Sequence, residues 1–303
     1  TSLIYASFTF IFFAIETAIW AQALQLAFGL SLAVGYLLCS LVIIPLVFFG
    51  VTSINKLQAW TQPVWVVMLV APFVYILAKD PALLTEWTAY AGLDGSGSGI
   101  NLLMFGAASG VLFSLVAQIG EQADYLRFLP DRNTVNRRAW WTAMLTAGPG
   151  WIVIGALKVT AGSLLAVLAL RMGSSAAQAV EPAHMFVHAY RQVVGDPVLA
   201  VALAAIFVTV SQVKINVTNA YSGSLAWSNF FARLTHSHPG RVVWLLFNVA
   251  IAVLLMVMGV FEALERVLAF YAHLAVAWVG AIVGDLVIAK PLGLSPTRIE
   301  FRR

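Results

Sequence analysis

Charged residues are scarce in this sequence. Asp, Glu, Lys and Arg make up 10% of its 303 residues, whereas they make up about 25% of an average soluble domain. Hydrophobic residues account for 61%, and the mean hydropathy is +0.90. This composition excludes an ordinary soluble domain. The net charge of +4 does not indicate nucleic-acid binding, because the basic residues lie in short segments between long apolar stretches.

Cysteines and catalytic patterns are scarce as well. Cys39 is the single cysteine and lies inside an apolar stretch, which excludes a disulfide framework. His184 and His188 have the i,i+4 spacing of a helical metal pair, but no third ligand can be assigned, so we predict no metal site. No nucleophile–base pair stands out, so we do not expect these residues to form an enzyme.

Apolar stretches long enough to cross a hydrocarbon core of about 30 Å recur along the whole chain, which predicts an all-α, polytopic membrane protein. The fifth and sixth stretches exceed the usual length, so we expect them to tilt or to extend beyond the bilayer. The chain starts directly in an apolar segment and ends in IEFRR. We therefore expect a fragment of a longer protein, with residues 1–303 forming one membrane domain. The eight predicted spans are 3–28, 32–49, 57–77, 100–120, 140–170, 198–231, 242–260 and 267–288.

Basic residues are unevenly distributed between these spans. By the positive-inside rule, both ends of the fragment are predicted to be cytoplasmic, in the inner membrane of a bacterium. In the outer loops we predict a short surface helix within 171–196, and a flexible link at GLDGSGSG, residues 92–99. The basic residues of the predicted inner loops are Lys56, Arg127, Arg132, Arg137, Arg138, Arg233, Arg241, Lys290, Arg298, Arg302 and Arg303.

The sixth span turns polar at mid-depth. A lysine at the bilayer centre costs roughly 2.5–3.5 kcal/mol on insertion scales, so such a group is expected to face a bundle interior or a water-filled cavity. Asn216 and Asn219 are three residues apart and so share one helix face. We interpret this run as one wall of a polar site; hydrogen bonding between helices is the alternative. The run comprises Ser211, Gln212, Lys214, Asn216, Thr218, Asn219 and Ser222.

Other polar side chains also lie within predicted spans. Glu16 is central in the first span, and we predict that it meets Lys214 near the midplane; a neutral acid bonded to a neighbouring helix is the alternative. In the fourth span Gln118 is the deepest amide. Lys158 in the fifth span has no assigned partner. Near the inner interface, Glu121, Gln122 and Asp124 are expected to pair with Arg127 or Arg132, and Asp285 with Lys290.

Three polar stretches carry a family resemblance: QIGEQADYLRFLPDR at 118–132, NVTNAYSGSLAWSN at 216–229 and GAIVGDLVIAKP at 280–291. They resemble parts of the nucleobase–cation symporter family, the purine/cytosine and hydantoin permeases. The first resembles the Asp-Tyr-x-Arg-aromatic ending of that family's sixth helix, here Asp124, Tyr125, Arg127 and Phe128. The resemblance implies a LeuT-like fold of inverted repeats, with the eight spans matching family helices three to ten and a ligand held at mid-membrane between discontinuous helices.

The resemblance also implies site residues and a coupling ion. The coupling ion that the resemblance implies is Na⁺ or H⁺. At the turn where sodium-coupled members bind the ion, this chain has Val210 and Ser211, with Lys214 nearby. An ammonium there could replace the sodium charge, which would favour proton coupling or no coupling. Family helices one and two are missing, and Glu16 replaces an amide. Together with the residue-based reasoning, the predicted substrate contacts are Phe12, Glu16, Phe113, Gln118, Asn216 and Asn219.

A narrower resemblance leaves two functions open. Four segments, 10–24, 55–73, 118–130 and 290–303, resemble the permease-like input region of some bacterial hybrid sensor histidine kinases. The chain is therefore expected either to transport a nucleobase or a related small heterocycle, or to sense such a ligand for cytoplasmic signalling domains that follow it. No cofactor other than a coupling ion is expected in either case. A kinase region after Arg303 would make the full-length chain an enzyme.

Overall fold

The fold is a bundle of α-helices interrupted by one 3-10 and one π segment. The computed structural model describes residues 2–92, 99–236, 238–259 and 263–297. Its helices are α1 Ser2–Phe28, α2 Leu32–Phe48, α3 Val51–Lys79, α4 Ala82–Ala89, α5 Leu102–Ser114, the 3-10 turn Leu115–Gln118, α6 Ile119–Leu126, α7 Arg137–Ala147, α8 Gly150–Arg171, α9 Ala176–Ala179, α10 Pro182–Val194, α11 Pro197–Thr235, α12 Arg241–Val257, α13 Leu264–Val283 and the π-helical Gly284–Ala289.

Each of the eight predicted spans is helical. Six helical stretches are long and apolar enough to cross a membrane, and α2 and α12 are shorter apolar helices. The latter two have 17 residues each, the lower limit for a span. The 39 residues of α11 extend about 58 Å, almost twice the thickness of a hydrocarbon core. The expectation of an all-helical protein with membrane-length helices is confirmed.

Helices α1 and α11 form the centre of the bundle. They make the most extensive helix–helix contact in the described residues, and they run antiparallel, since Trp20 of α1 bonds Thr209 while Thr17 bonds Asn216. In its most apolar window 67% of α1 is buried, against 11% of α3. Helix α1 is therefore surrounded by protein, whereas α3 presents most of its surface outward, as a lipid-facing helix would.

Small side chains explain why these two helices approach so closely. The buried surface of α1 includes several alanines, and α11 contributes Ala220 and Gly223 to the same region. A Cβ atom at Gly223 would lie only 2.6 Å from Thr9 Oγ1 of α1 and 2.5 Å from Asn248 Oδ1 of α12. Small residues permit such close packing where lipid supplies no hydrophobic driving force between helices.

Two of the predicted spans are not continuous α-helices. The fourth passes through the 3-10 turn between α5 and α6. The fifth, predicted over 140–170, is divided into α7 and α8 at Gly148 and Pro149. Pro149 lacks an amide hydrogen and disfavours helical conformation at the residue before it, which explains the division. The fifth predicted span is therefore two helices, which accounts for its excess length.

The predicted outer helix is present. It corresponds to α10, which packs against α8, α11 and α3. Tyr190 is buried, and its hydroxyl donates to the Met68 carbonyl of α3 at 2.7 Å. One side of α10 therefore packs onto the core, while its other residues are partly or fully exposed, as expected of a short helix at the surface. Residues 93–98 of the predicted link and 299–303 of the basic ending lie outside the described residues.

Candidate functional site

The polar run of α11 is divided between two faces. Residues advance by about 100° around a helix, so positions 212, 216 and 219 share one face and positions 211 and 214 another. The first face lies against α1, where the Asn216 amide donates to Thr17 Oγ1 at 3.1 Å. The second lies against α3, where Trp65 Nε1 donates to Ser211 Oγ at 2.8 Å. The two groups of residues therefore have different surroundings.

Buried amide atoms on the α1-facing side lack protein partners. Gln212 Oε1, Asn216 Oδ1 and Asn219 Nδ2 are buried and bond to nothing within the described part of the chain. Leaving such a group unpaired costs about 1–3 kcal/mol. Buried polar groups are normally satisfied by protein or by ordered water. Three unpaired groups along one face are therefore typical of a site that receives water or a polar ligand.

Glu16 faces α8 as well as α11. Gln212 lies within hydrogen-bonding reach of its carboxyl group, and Lys158 of α8 lies within electrostatic range. Helices α1 and α8 do not pack along each other, so this acid and this base interact across the region between the two helices, which we call the gap. Both side chains are partly exposed. The sequence suggested no partner for Lys158. In the structure Lys158 is the cation that interacts with Glu16, a position that the sequence analysis expected Lys214 to hold.

The expected pair between Glu16 and Lys214 is wrong. Lys214 is 8% exposed, and its ammonium donates to the Gln58 carbonyl and to Thr61 Oγ1, both at 3.1 Å. The Gln58 amide in turn donates to the Lys214 carbonyl at 2.7 Å. The reason is rotational: Lys214 lies about 200° around α11 from Gln212, the residue that faces Glu16. Lys214 thus attaches α11 to α3.

The Gln118 amide and the Trp151 indole border the gap on the side of the 3-10 turn. Trp151 Nε1, at the start of α8, donates to Gln118 Oε1 at 2.8 Å. The Lys158 ammonium, from further along the same helix, lies 4.6 Å from the centroid of the Trp151 ring. Gln118 also donates to Glu121 Oε2 at 3.3 Å. Gln118 therefore lies between Glu121 and the Trp151 indole, and Trp151 is a residue that the sequence did not suggest.

The two predicted aromatic residues differ in their surroundings. Phe12 is buried in the core, with its ring centroid 4.5 Å from that of Phe8. Phe113 is 52% exposed on α5. Phe12 lies one turn before Glu16 on α1, and no ring contact joins Phe12 or Phe113 to Trp151 in the described residues. The Trp151 indole is an additional aromatic surface at the gap, and its position after the Gly148–Pro149 break was the only signal for it.

Near the ends of the helices the expected local ion pairs are confirmed in part. Asp124 lies 3.9 Å from Arg127, and Asp285 lies 3.4 Å from Lys290. Glu121 is 3% exposed and bonds to Gln118, so its expected pairing with an arginine is wrong. Helix α6 turns its Glu121 side toward α11, away from the basic loop that follows it.

The two histidines of α10 have separate partners. His184 Nδ1 lies 2.8 Å from Glu181, and His188 Nε2 lies 2.7 Å from the Ser174 hydroxyl. Burial lowers the pKa of His188, and the neighbouring His184 and Arg191 lower it further. No group of three metal-ligating side chains occurs in the described residues.

The chain was compared with protein-family models, with curated proteins and with solved structures, and nothing matched in any of the three comparisons.

Proposed function

We propose that this domain performs permease-like transport of a nucleobase or a related small heterocycle across a bacterial inner membrane. One observation carries the proposal: Glu16 and Lys158 face each other across a gap bordered by the Gln118 and Gln212 amides and the Trp151 indole. A LeuT-like arrangement, in which the eight spans correspond to family helices three to ten with cytoplasmic ends, remains the architecture that we propose for it.

The chemistry of this gap suits a flat, polar heterocycle. An amide side chain both donates and accepts hydrogen bonds, as the edge of a nucleobase does. An aromatic face stacks on a base with about 1–3 kcal/mol per base. Glu16 and Lys158 supply one acceptor-only and one donor-only group. A ligand in contact with all of these groups would satisfy donors and acceptors that lipid cannot satisfy.

Irregular helices beside the gap support a transport cycle. Gln118 ends the 3-10 turn between α5 and α6, and Trp151 follows the division between α7 and α8. Short 3-10 stretches within a helix often mark hinges. A carrier needs two bundle arrangements whose populations the ligand shifts. Both ligand-facing side chains on this side of the gap thus lie next to positions where the backbone can change its direction.

Uptake measurements test the proposal directly. Cells or proteoliposomes with the full-length protein would be given labelled uracil, cytosine and hypoxanthine. Trp151→Leu is expected to raise the substrate concentration for half-maximal uptake by about 5- to 150-fold, because it removes about 1–3 kcal/mol of stacking. Trp60→Leu is the matched control, since Trp60 is 82% exposed on α3. Equal uptake by both variants would exclude Trp151 from the site.

Ligand sensing is the second candidate, and the contacts of Ser211 and Lys214 favour it. The position at which sodium-coupled relatives of the suggested family would bind the ion is held here by bonds to Trp65 and Thr61. A domain without an exchangeable ion there could bind its ligand without accumulating it. Binding of a heterocycle to the purified protein, with no accumulation in vesicles and with ligand-dependent phosphorylation of the full-length chain, would support the sensor and exclude the carrier.

A further inference from the structure

A buried carboxyl group on α6 lacks a cationic partner. Glu121 is 3% exposed. Gln118 donates to it at 3.3 Å, and the Thr218 hydroxyl of α11 lies within hydrogen-bonding reach. Among the ion pairs of the described residues none involves Glu121. A charge in such a position is costly unless it is paired, so the group must be neutralised by something that binds it.

The charged groups around Glu121 do not neutralise it. Asp124 on the same helix and Glu16 on α1 are both acidic and lie within electrostatic range. Tyr5 of α1 and Tyr125 of α6 are further titratable neighbours. Arg127 pairs with Asp124 at 3.9 Å and is itself half-exposed, and Lys158 of α8 lies within electrostatic range of Glu16. α11 faces the cluster with hydroxyl and amide groups. Glu121 therefore lies in acidic surroundings.

A partly open cavity borders this cluster. Its volume is about 310 Å³, and its walls include Tyr5 and Asp124. The Tyr5 hydroxyl donates to Asp124 Oδ2 at 3.1 Å. Ser222 is fully buried, its hydroxyl has no bonded partner in the described residues, and it is close to both Tyr5 and Asp124. A hydroxyl that both donates and accepts can pass a proton between such neighbours.

Glycine 120 makes this arrangement possible. A Cβ atom at Gly120 would lie 2.7 Å from Cδ2 of the Tyr5 ring. Any larger residue would thus displace the ring from α6 and its hydroxyl from Asp124. On the other side of the cluster, Glu121 is linked through Gln118 to Trp151, which borders the gap described above. The carboxyl group is therefore bonded toward the candidate ligand site, and on its other side lie the acidic and hydroxyl groups that border the cavity.

We propose that Glu121 is a proton-binding site, loaded from the cavity through Tyr5, Asp124 and Ser222, and that its occupancy is coupled through Gln118 to the ligand in the gap. A proton suits this position because it needs only the carboxyl group and a path of hydroxyls. The coupling to transport rests on the proposed function. The binding of the proton does not, and it can be measured without any ligand.

Infrared spectroscopy of the full-length protein in lipid tests the binding of the proton. At neutral pH the wild type is expected to show the carbonyl band of a protonated, buried carboxylic acid. Glu121→Gln is expected to remove this band. Glu86→Gln is the matched control, because Glu86 is exposed and pairs with Arg171 at 3.4 Å; it should leave the band unchanged. Identical spectra for the wild type and Glu121→Gln would overturn the proposal.

Two further arms cover other outcomes. If Glu121→Gln does not fold, Gln118→Leu should shift the frequency of the band, because it removes the hydrogen bond to the carboxyl group; an unshifted band would count against the assignment. The second arm replaces choline chloride with sodium chloride at constant pH. Loss of the band in sodium would identify an alkali-ion site and overturn the proton site.

Coupling is tested separately in proteoliposomes that contain a pH-sensitive dye. Addition of the transported heterocycle from the panel of uracil, cytosine and hypoxanthine should move protons with wild type. With Glu121→Gln the heterocycle should still bind, but no protons should move. If no heterocycle is transported, the proposed function fails while the infrared result stands. If transport continues in Glu121→Gln with proton movement unchanged, the coupling proposal fails.

Discussion

Replacement of Gly223 by alanine should loosen the contact at the centre of the bundle. The new Cβ atom would lie 2.5 Å from Asn248 Oδ1 and 2.6 Å from Thr9 Oγ1, about 0.9 Å closer than an ordinary contact. Thr9 and Asn248 are buried and bonded to each other at 3.2 Å, and Trp227 Nε1 donates to the same Asn248 oxygen at 3.0 Å. The methyl group therefore cannot be accommodated without disturbing these hydrogen bonds.

Two costs contribute to the expected loss. Overpacking of a close-packed interior costs about 1–3 kcal/mol. Disturbing a hydrogen bond between fully buried groups costs about 1–3 kcal/mol more, because neither partner can turn to water. The free energy of unfolding of Gly223→Ala should therefore fall by about 2–6 kcal/mol. Both groups belong to the contact of α11 with α1 and α12, so the loss should affect the whole bundle.

Unfolding in mixed micelles of mild and denaturing detergent, followed by circular dichroism, measures this change. Gly155→Ala in α8 is the matched control, since a Cβ atom there meets nothing within 4 Å. The free energy of unfolding of Gly155→Ala should equal that of the wild type or exceed it by up to about 1 kcal/mol, because alanine favours the helix more than glycine does. If Gly223→Ala were as stable as the wild type, the close approach of α1 and α11 described here would be refuted.

Three further predictions concern other contacts of the bundle. Tyr190→Phe removes the bond to the Met68 carbonyl and should cost about 1 kcal/mol in the same unfolding assay, whereas no loss would mean that α10 is not attached to α3. Arg241→Ala removes donors to the last carbonyls of α2 and should cost about 1.5–3 kcal/mol, with the exposed Arg233→Ala as a neutral control. Burial lowers the pKa of His188, which favours its neutral form in the fold. Below the ordinary value of 6.5 the unfolded chain therefore binds more protons, so stability should decrease as pH falls through that value. His188→Gln should flatten this dependence, and an equal slope in the variant would exclude His188.

The helices and the local pairs could be predicted from the sequence. Each apolar stretch of membrane length is a helix, because a chain without water must satisfy its backbone internally. Asp124 with Arg127 and Asp285 with Lys290 are near neighbours in sequence, so their pairing depends on local geometry alone. The burial of Asn216 also agrees with the expectation that the polar face of α11 turns inward.

The partners of buried groups on different helices could not be predicted. Glu16 and Lys214 have opposite charges and similar depth. A shift of two positions along α11 nevertheless decides whether a side chain faces α1 or α3. Gln212 turns to α1 and Lys214 to α3. Likewise Trp151 reaches Gln118 only because the chain divides at Gly148 and begins a new helix. Such contacts depend on helix rotation and packing, which no local pattern contains.

Chemical accessibility of position 16 tests the central claim most directly. Glu16→Cys in a Cys39→Ala background would be treated with a small, charged, thiol-specific reagent. Val67→Cys is the control: it lies on α3 two residues from Trp65, the partner of Ser211, and is 65% exposed on the apolar surface. A polar gap between α1 and α8 predicts modification at position 16 and none at position 67, because hydrocarbon excludes both the reagent and the thiolate. An unreactive thiol in the Glu16→Cys variant would contradict the gap and, with it, the site on which both proposed functions depend.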